Sequence, residues 1–419
     1  MRASSPEREA VRHGRTAGRK TGRTGRAARM GQGGPGAAGA DVVVVGGGVV
    51  GASVAFHLVE AGAGDVLVVE RDEPGSGSSG KPIGGIRAQF SDPLNIALGQ
   101  RSLEAWREFA ARPGAEVGVD STGYLFLLGT EEEVELCERA VGVQRALGVD
   151  SRIVGPREAR ELCPYAGPDG LLAAAYSPAD GQALPPAAVR GYLEAARRLG
   201  ARVWTRCAVT GIEVADGAVR AVRTERGAVR TGAVVCAAGA WSAAVGAFAG
   251  VELPVTPLRR QIGFTGPLSP APPRIPFTLD LGSTLYFHGD GARGLALGFS
   301  DPRQEAGFGR GFSREWLEPF RAAARRRAPA LAALEVRHGW AGLYEMTPDR
   351  NALIGRSPEV DGFWYATGFS GHGFLQAPAV GEIMRDLLLG HRPFVDVGPL
   401  SADRFRAGGG TPRPEAHII

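Results

Sequence analysis

Three glycines stand at a spacing that is typical of phosphate binding. In "DVVVVGGGVVGASVAFHLVEAG", which begins at Asp41, the residues Gly46, Gly48 and Gly51 follow an apolar β-type run and open a stretch with helical apolar spacing. The first glycine permits a tight turn, the second lets a pyrophosphate approach the backbone, and the third lets helix and strand pack closely. Glu70 ends the next apolar run, "DVLVVER", where a carboxylate accepts hydrogen bonds from a ribose. The sequence therefore predicts a Rossmann-type dinucleotide site, and this acid favours FAD or NAD over NADP.

Charge is distributed unevenly along the 419 residues. Residues 1–39 hold nine basic and two acidic residues, so this segment carries +7 and, because the whole chain carries +4, the remainder carries −3. A mildly acidic folded part argues against nucleic acid as a partner. Since residues 1–39 contain almost no large apolar side chain, we expect a disordered basic tail, either a misplaced start or a dispensable extension.

The sequence disfavours disulfides, metal centres and membrane spans. Cys137, Cys163, Cys207 and Cys236 lie far apart and form no CxxC pair, so neither a disulfide framework nor a zinc site is indicated, and a cytoplasmic location is expected. The most apolar stretch, residues 42–56, is interrupted by glycines and is too short to span a bilayer. The length and the 44% hydrophobic content fit a globular protein with two domains of ordinary size.

Several ordered motifs carry a family resemblance. The stretches "GSGSSGKPIGGIRAQFS" (75–91), "VVCAAGAWS" (234–242), "GWAGLYEMTPDRNALIG" and "TGFSGHGFLQAPAVGEIM" resemble the D-amino-acid oxidase and sarcosine oxidase family of FAD enzymes, above all the beta subunits of sarcosine oxidase and proline dehydrogenase. The resemblance implies an α/β fold, in which a Rossmann-type FAD-binding domain is interleaved with an α+β substrate domain built on an antiparallel or mixed sheet. The implied segments are 40–121, 185–253 and 342–406 for the FAD-binding domain, 122–184 and 254–341 for the substrate domain, and 407–419 for a C-terminal tail.

The resemblance also implies which residues contact FAD. Glu70 would hold the adenosine ribose, and the backbone of Val209 would contact adenine. The loop around Gly371 and Gly373 would lie against the pyrimidine edge of the flavin, because the amides and dipole of the following helix favour the negative charge that a reduced flavin carries there. The stretch "AAGAW" has an alternative interpretation as an ordinary core strand and turn. The cofactor-binding candidates are Gly46, Gly48, Gly51, Glu70, Arg71, Ser78, Ser79, Lys81, Val209, Ala238, Gly239, Trp241, Gly342, Gly371, His372, Gly373 and Phe374.

Four residues are candidates for contact with a substrate. Arg87 in "GGIRAQF" resembles the family arginine that binds the substrate carboxylate, a task suited to a bidentate guanidinium. Tyr286 and His288 fall on the strand that lines the family's substrate pocket, and His372 lies between the two glycines of the flavin loop. Each has a structural alternative: Arg87 as one surface arginine among many, and the other three as packing residues.

Three groups that the resemblance leads us to expect are missing. In monomeric sarcosine oxidases one lysine activates oxygen near flavin N5 and a second holds the substrate carboxylate, and the corresponding residues here are Ala296 and Leu375. The cysteine that tethers FAD corresponds to Gly342, and no histidine stands near Gly80, where other relatives attach theirs. We therefore expect noncovalent FAD, and a dehydrogenase rather than an oxidase, because a missing cation leaves superoxide unstabilised. Lys81 is an alternative source of that cation.

The resulting hypothesis is FAD-dependent oxidation of a C–N bond. A neutral secondary or tertiary amine, similar to sarcosine, dimethylglycine or proline, would pass a hydride to flavin N5 and leave as an imine. The chain shows no convincing Asp–His or Ser–His pair, in keeping with a reaction that needs no catalytic base. Two alternatives stay open: a noncatalytic FAD-binding assembly or structural subunit of a flavoprotein complex, and an amine oxidase that produces hydrogen peroxide. The electron acceptor and any partner subunits are undefined.

Overall fold

Two large sheets organise the part of the chain that the structure describes. The structure is a computed structural model, and it describes residues 38–406 and 414–417. The predicted disordered tail, 1–39, lies outside these residues except for Ala38–Gly39, which form a two-residue strand. Of the predicted C-terminal tail, 407–419, only residues 414–417 are described, and Glu415 and His417 are buried.

The elements are numbered in chain order. The strands are β1 Ala38–Gly39, β2 Val42–Val45, β3 Val66–Val69, β4 Gly85–Ile86, β5 Tyr124–Leu128, β6 Arg152–Val154, β7 Ala173–Ser177, β8 Gly181–Gln182, β9 Arg202–Trp204, β10 Val209–Ala215, β11 Ala218–Thr224, β12 Gly227–Arg230, β13 Val234–Cys236, β14 Thr256–Phe264, β15 Phe277–Asp280, β16 Leu285–Gly289, β17 Leu295–Phe299, β18 His338–Met346, β19 Leu353–Arg356 and β20 Phe363–Thr367. The helices are α1 Val49–Glu60, α2 Pro93–Arg107, α3 Glu131–Ala146, α4 Pro156–Leu162, α5 Pro185–Arg198, α6 Ser242–Ala247, α7 Leu317–Arg327, α8 Pro329–Ala332 and α9 Gly373–Leu388.

The first large sheet has six strands in the order β19-β20-β13-β2-β3-β9. All neighbours pair in parallel except β19, which runs antiparallel at one edge. The four valines of β2 are all buried, as expected for a parallel strand that is covered on both faces. Helices α1, α5 and α9 cover one face, and the sheet formed by β10, β11 and β12 packs against the other. This architecture confirms the predicted Rossmann-type arrangement.

Parallel strands bring several loops to one edge of this sheet. Strands β2, β3, β13 and β20 point the same way, so the residues that follow their carboxyl ends meet at a common crevice. Helix α1 begins directly after β2, and α9 begins a few residues after β20. The two helices pack closely, because Gly381 of α9 lies where a Cβ would collide with Ser53 and His57 of α1. Both helices therefore begin at the same edge.

The second large sheet has eight strands in the order β18-β14-β17-β16-β15-β5-β7-β6. Its pairs are antiparallel except for β15 with β5, which confirms the expected antiparallel or mixed sheet. Side chains alternate between its two faces. One face packs on α4, α7 and α8 through a core that includes Phe287, Leu297 and Trp316. Strand β18 crosses the predicted boundary at residue 342, since all of it belongs to this sheet.

No helix among the described residues is long and apolar enough to cross a membrane.

Candidate functional site

The glycine turn after β2 has the backbone geometry that its sequence predicts. Gly46 has φ of +110°, a left-handed conformation that other residues rarely adopt, and a Cβ there would collide with the carbonyl of Ala237. A Cβ on Gly51 would collide with the carbonyl oxygen of Gly46, so this glycine lets α1 approach the turn. Gly48 is the N-cap of α1 and has no capping side chain, while Ser79 accepts a hydrogen bond from the Val49 N–H at 2.9 Å. The start of α1 thus offers backbone donors to an anion.

Glu70 is held firmly at the carboxyl end of β3. Its carboxylate accepts hydrogen bonds from the Gly47 N–H at 2.7 Å and from the Asp72 N–H at 2.8 Å. A carboxylate has about four acceptor positions, so these two bonds leave capacity for ribose hydroxyls. The adjacent Arg71 lies over the ring of Trp241, 4.4 Å from its centroid. An acid fixed beside the glycine turn is the arrangement that an adenosine ribose requires.

One cavity lies at the carboxyl ends of the parallel strands of the six-stranded sheet, and nearly all of the predicted cofactor residues line it. Gly51 is the exception, since it packs behind the turn. Of the four candidate substrate residues, His288 does not line the cavity: it stacks on Phe277 with ring centroids 4.8 Å apart, and burial lowers its pKa to about 4. The predicted residues that line the cavity are Gly46, Gly48, Glu70, Arg71, Ser78, Ser79, Lys81, Arg87, Val209, Ala238, Gly239, Trp241, Tyr286, Gly342, Gly371, His372, Gly373 and Phe374.

The N-terminus of α9 opens into this cavity. The first N–H groups of any helix have no intrahelical acceptor, and in α9 the side chain of the N-cap, His372, does not accept from them either. Gly371 has φ of +102°, and a Cβ there would lie 2.6 Å from the ring of Tyr344. A Cβ on Gly373 would meet only ordinary contacts within the protein, the nearest at 3.4 Å. The helix start therefore presents free donors and the positive end of a dipole to the cavity.

Arg87 and His372 contact each other. Arg87 is only 4% exposed, and its Nη2 donates a hydrogen bond to Nε2 of His372 at 3.2 Å. Burial and the charge of Arg87 lower the pKa of His372 to about 3, so the imidazole is neutral at pH 7. Because Nε2 accepts this bond, the ring proton is on Nδ1. Arg87 also donates to the backbone carbonyls of Gln89 and His417.

Sequence reasoning missed several residues that line the cavity. On the eight-stranded sheet, the face opposite to α7 is here called the cavity face, and it presents Tyr124, Arg260, Phe277, Tyr286 and Tyr344 to the cavity. The strand register places Tyr286 and Arg260 on the same face. Tyr286 pairs with Gly298 of β17, Gly298 pairs with Ile262 of β14, and Ile262 shares its face with Arg260 two positions earlier. In the stretch "PLRRQIGF", side chains alternate between the two faces of a strand, which was the available signal for Arg260. The alternation does not show which of the two faces lines the cavity.

Glu345 is a second residue that the sequence did not single out. It is half-buried, and its Oε2 accepts hydrogen bonds from the Thr367 hydroxyl at 2.8 Å and the Gly368 N–H at 3.1 Å. Burial raises its pKa. Its backbone carbonyl accepts from the Ser370 N–H at 3.1 Å. Glu345 thereby fixes the loop that leads into α9.

The positions that lack the expected lysines differ in their surroundings. Ala296 is 1% exposed and belongs to an apolar cluster with Ile262 and Phe264. Leu375 lines the cavity on the first turn of α9. Lys81 also lines the cavity, and its Nζ lies 5.7 Å from the centroid of the Trp340 ring. No group of His, Cys, Asp or Glu among the described residues is arranged to hold a metal ion.

The cavity fits a dinucleotide with a redox-active ring. Two helix starts could supply backbone donors to a pyrophosphate and to a ring that accumulates negative charge, and Glu70 could accept hydrogen bonds from a ribose. The glycine turn leaves room for a pyrophosphate at the backbone. The fold and the site together define a Rossmann-type oxidoreductase that binds a flavin dinucleotide.

Comparison with known proteins agrees with this class. The family model "DAO: FAD dependent oxidoreductase" matches residues 41–387, and the chain belongs to this family. It is 32% identical to the "FAD-dependent oxidoreductase domain-containing protein 1" of Bos taurus, an alignment that covers 88% of this chain and 85% of that protein. The crystal structure of L-proline dehydrogenase from P. horikoshii superposes with a TM-score of 0.83 at 32% identity, over 90% of this chain and 100% of the other.

A third relative is longer than this chain. The mitochondrial sarcosine dehydrogenase of Mus musculus is 28% identical, with 87% of this chain aligned to 41% of that protein. The chain therefore spans less than half of that enzyme. The recognition of the D-amino-acid oxidase and sarcosine oxidase family from its motifs is confirmed.

Replacement of Glu70 tests the ribose contact. We expect Glu70→Gln to weaken FAD binding by about tenfold, because a charged acceptor is worth roughly 1.5–3 kcal/mol and the amide retains part of the contact. Titration of the flavin-free protein with FAD, followed by flavin fluorescence, measures the change. Glu73→Gln is the matched control, since Glu73 is exposed and pairs with Arg206 at the surface. Equal FAD affinity in both variants would contradict the assignment.

Proposed function

We propose that this chain is an FAD-dependent dehydrogenase of amino acids that carry a secondary or tertiary amine. The observation that carries the proposal is the cavity itself. In it, the N-terminus of α9, with its free backbone N–H groups, lies beside the aromatic and cationic residues of the cavity face. Two relatives are named for sarcosine and proline, which are both small secondary-amine carboxylates. A cavity with a cation, three tyrosines and a phenylalanine on one wall suits such molecules.

The residues of the chain supply binding, orientation and charge stabilisation. FAD, when bound, supplies an acceptor for the two electrons and the hydrogen that leave the carbon next to the amine. The free amides of α9 stabilise the negative charge that this transfer delivers to the ring. The rings of Phe277, Tyr286 and Tyr344 line the substrate side and limit the water that reaches it. Positioning of the substrate against the cofactor is thus the main contribution of the protein.

We assign no general base among the described residues that line the cavity. His372 is neutral, but its Nε2 lone pair already accepts from Arg87. Glu345 is half-buried, and one of its carboxylate oxygens, Oε2, accepts from both the Thr367 hydroxyl and the Gly368 N–H, which fixes this carboxylate against the loop before α9. The substrate amine must therefore arrive deprotonated, which agrees with hydride transfer from a neutral amine.

Noncovalent binding of FAD is part of the proposal. No cysteine is among the described residues that line the cavity, and Gly342 stands at the position where the family's tethering cysteine is expected. The four cysteines are buried and free, and burial raises the pKa of Cys137 to about 12 and that of Cys236 to about 11. Thiols of this kind are poor nucleophiles toward a cofactor.

The charges near the flavin side favour a dehydrogenase. Where an oxygen-activating lysine is expected, Ala296 contributes to an apolar cluster, and such a surface does not stabilise superoxide. Lys81 is the lysine among the described residues that line the cavity, and it supports the alternative of an oxidase.

Acid precipitation tests the mode of FAD binding. We expect trichloroacetic acid to pellet a colourless polypeptide and to leave all of the yellow flavin in the supernatant, because only noncovalent contacts hold it. Absorbance of the two fractions at 450 nm measures the distribution. Flavin that stays with the washed pellet would show a covalent bond.

Anaerobic titration tests the substrate class. We expect sarcosine, dimethylglycine, proline or hydroxyproline to bleach the flavin absorbance of the purified holoprotein, while lactate leaves it unchanged. Lactate is the control because it is a hydroxy acid of similar size without an amine. Reduction by lactate and by no amine would refute the amine assignment. A flavin that no compound reduces would favour the noncatalytic assembly or structural role.

The electron acceptor is tested by the fate of the reduced flavin. With an amine that bleaches the flavin, we expect a dye such as dichlorophenolindophenol to reoxidise it at least tenfold faster than air-saturated buffer, because no lysine occupies the Ala296 position. Hydrogen peroxide release measures the oxygen reaction. Rapid peroxide release that Lys81→Met abolishes, without loss of the dye reaction, would identify an oxidase that uses Lys81.

A further inference from the structure

The guanidinium of Arg87 is occupied by other parts of the chain. Its two terminal nitrogens donate to the backbone carbonyls of Gln89 and His417 and to the ring of His372. Its carbon lies 4.1 Å from the centroid of the Phe90 ring. This arginine is buried and faces carbonyl oxygens on the side where a substrate carboxylate would have to bind in a bidentate manner. Binding of a carboxylate to Arg87 would require the displacement of His417.

The carbonyl of His417 is held in place by an anchored segment. Residues 414–417 are here called the C-terminal segment. The carboxylate of Glu415 accepts hydrogen bonds from the N–H of Ser91 at 2.9 Å, from the Ser91 hydroxyl at 2.6 Å and from the Asp92 N–H at 3.1 Å. The ring of His417 packs on Phe126 with centroids 5.2 Å apart. Arg87 and Glu415 thus act from two sides to dock this segment beside α2.

Arg260 has the opposite arrangement. Its side chain lies on the cavity face of β14, opposite Gly342 of β18, and its guanidinium carbon is 5.4 Å from the centroid of the Tyr344 ring. Its Nη1 donates a long hydrogen bond to the carbonyl of Arg259 at 3.4 Å, its Nε is buried and has no hydrogen-bond partner, and none of the ion pairs among the described residues includes Arg260. Asp301, whose pKa responds to the charge of Arg260, pairs with Arg303 at 3.0 Å. A buried guanidinium donor without an acceptor is costly unless a ligand supplies one.

Two phenols stand beside this arginine on the same wall. Tyr286 and Tyr344 both line the cavity, and the charge of Arg260 acts on the pKa of each hydroxyl, which burial raises. Because these phenols stay protonated at neutral pH, their hydroxyls are donors. One guanidinium and two phenolic donors on one wall form a set that matches the acceptor geometry of a carboxylate.

We propose that Arg260, supported by the hydroxyls of Tyr286 and Tyr344, binds the carboxylate of the amino-acid substrate, and that Arg87 instead positions the C-terminal segment. The identity of the carboxylate as substrate rests on the proposed function. The anion site itself rests on the cavity face, the unpartnered Nε and the occupied state of Arg87. The carboxylate would then lie against β14, beside Arg260, and not beside Arg87 near the start of α2.

Acetate and propionate, titrated into the FAD-loaded protein and followed by the flavin difference spectrum, test the anion site without turnover. We expect Arg260→Gln to raise the dissociation constant by about ten- to hundredfold, since a buried charged hydrogen bond is lost, and Arg260→Lys to restore part of the affinity. The matched control is Arg259→Gln, because the preceding side chain lies on the other face and donates to Gln304 at 2.9 Å. The control should bind acetate within twofold of the unmodified protein.

Kinetics separate a binding role from a structural one. Arg260→Gln should raise KM for sarcosine at least tenfold and leave KM for the uncharged sarcosine amide within twofold. Acetate affinity that is equal in the Arg260 and Arg259 variants, or that falls further in Arg87→Lys or Lys81→Met than in Arg260→Gln, would overturn the assignment. If Arg260→Gln loses acetate binding although no amine reduces the flavin, the anion site stands and the proposed function fails. If amines reduce the flavin and Arg260→Gln changes neither quantity, the function stands and this inference fails.

Discussion

The parallel pairing of β2, β13 and β20 is the constraint on which the site depends. Because these strands run in one direction, the turn before α1, the turn after β13 and the loop before α9 meet at one edge of the sheet. Two helix starts with free backbone donors then face the same cavity. A pyrophosphate and an electron-accepting ring need such donors at separate places on one molecule. The topology supplies both before any side chain is considered.

The cavity face of the eight-stranded sheet completes the site with different chemistry. The helix starts offer amides, which serve any anion, whereas the sheet face offers rings, hydroxyls and the guanidinium of Arg260, which select a shape and a charge. Glu345 connects the two parts, since it lies at the end of β18 and binds the loop that leads to α9. A shift of β18 would therefore also displace the N-terminus of α9. The carboxylate and the backbone carbonyl of Glu345 thus both link the end of β18 to the loop before α9.

Local patterns were sufficient to predict the glycine turn after β2 and the acid at the end of β3. The positions of Gly46, Gly51 and Glu70 follow from a turn, a helix and two strands that are contiguous in sequence, so spacing alone indicates their roles. The loop at Gly371 required the family resemblance, because three glycines around a histidine have no unique meaning by themselves. The Rossmann-type sheet was indicated by the contiguous strand, turn and helix pattern, whereas the mixed second sheet was predicted only through the family resemblance.

The substrate half could not be predicted to the same depth. Arg259 and Arg260 are neighbours of one type, and only pairing with β17 and β18 shows that Arg260 is the one on the cavity face. Tyr286 and His288 are two residues apart on one strand, but His288 lies further along it, where it stacks on Phe277. The buried carboxylate of Glu415 accepts hydrogen bonds from Ser91 and Asp92, which lie more than three hundred residues earlier in the chain. A pattern of apolar residues cannot predict a contact over such a distance in sequence.

The alternation of β14 has a consequence for how this wall can change. A slip of one position would bring Arg259 and Gln261 to the cavity face and turn Arg260 and Ile262 to the opposite face, where Gly263 adjoins Trp316 and Val336. An inserted or deleted residue in this strand would thus exchange every side chain between the two faces, and it would place Ile262 or Phe264 in the space of Gly263, where even a Cβ collides with Val336. Exchange of side-chain types at the inward positions carries no such penalty. The residues that β14 presents to the cavity can therefore change by substitution, whereas insertions and deletions in β14 are expected to be poorly tolerated.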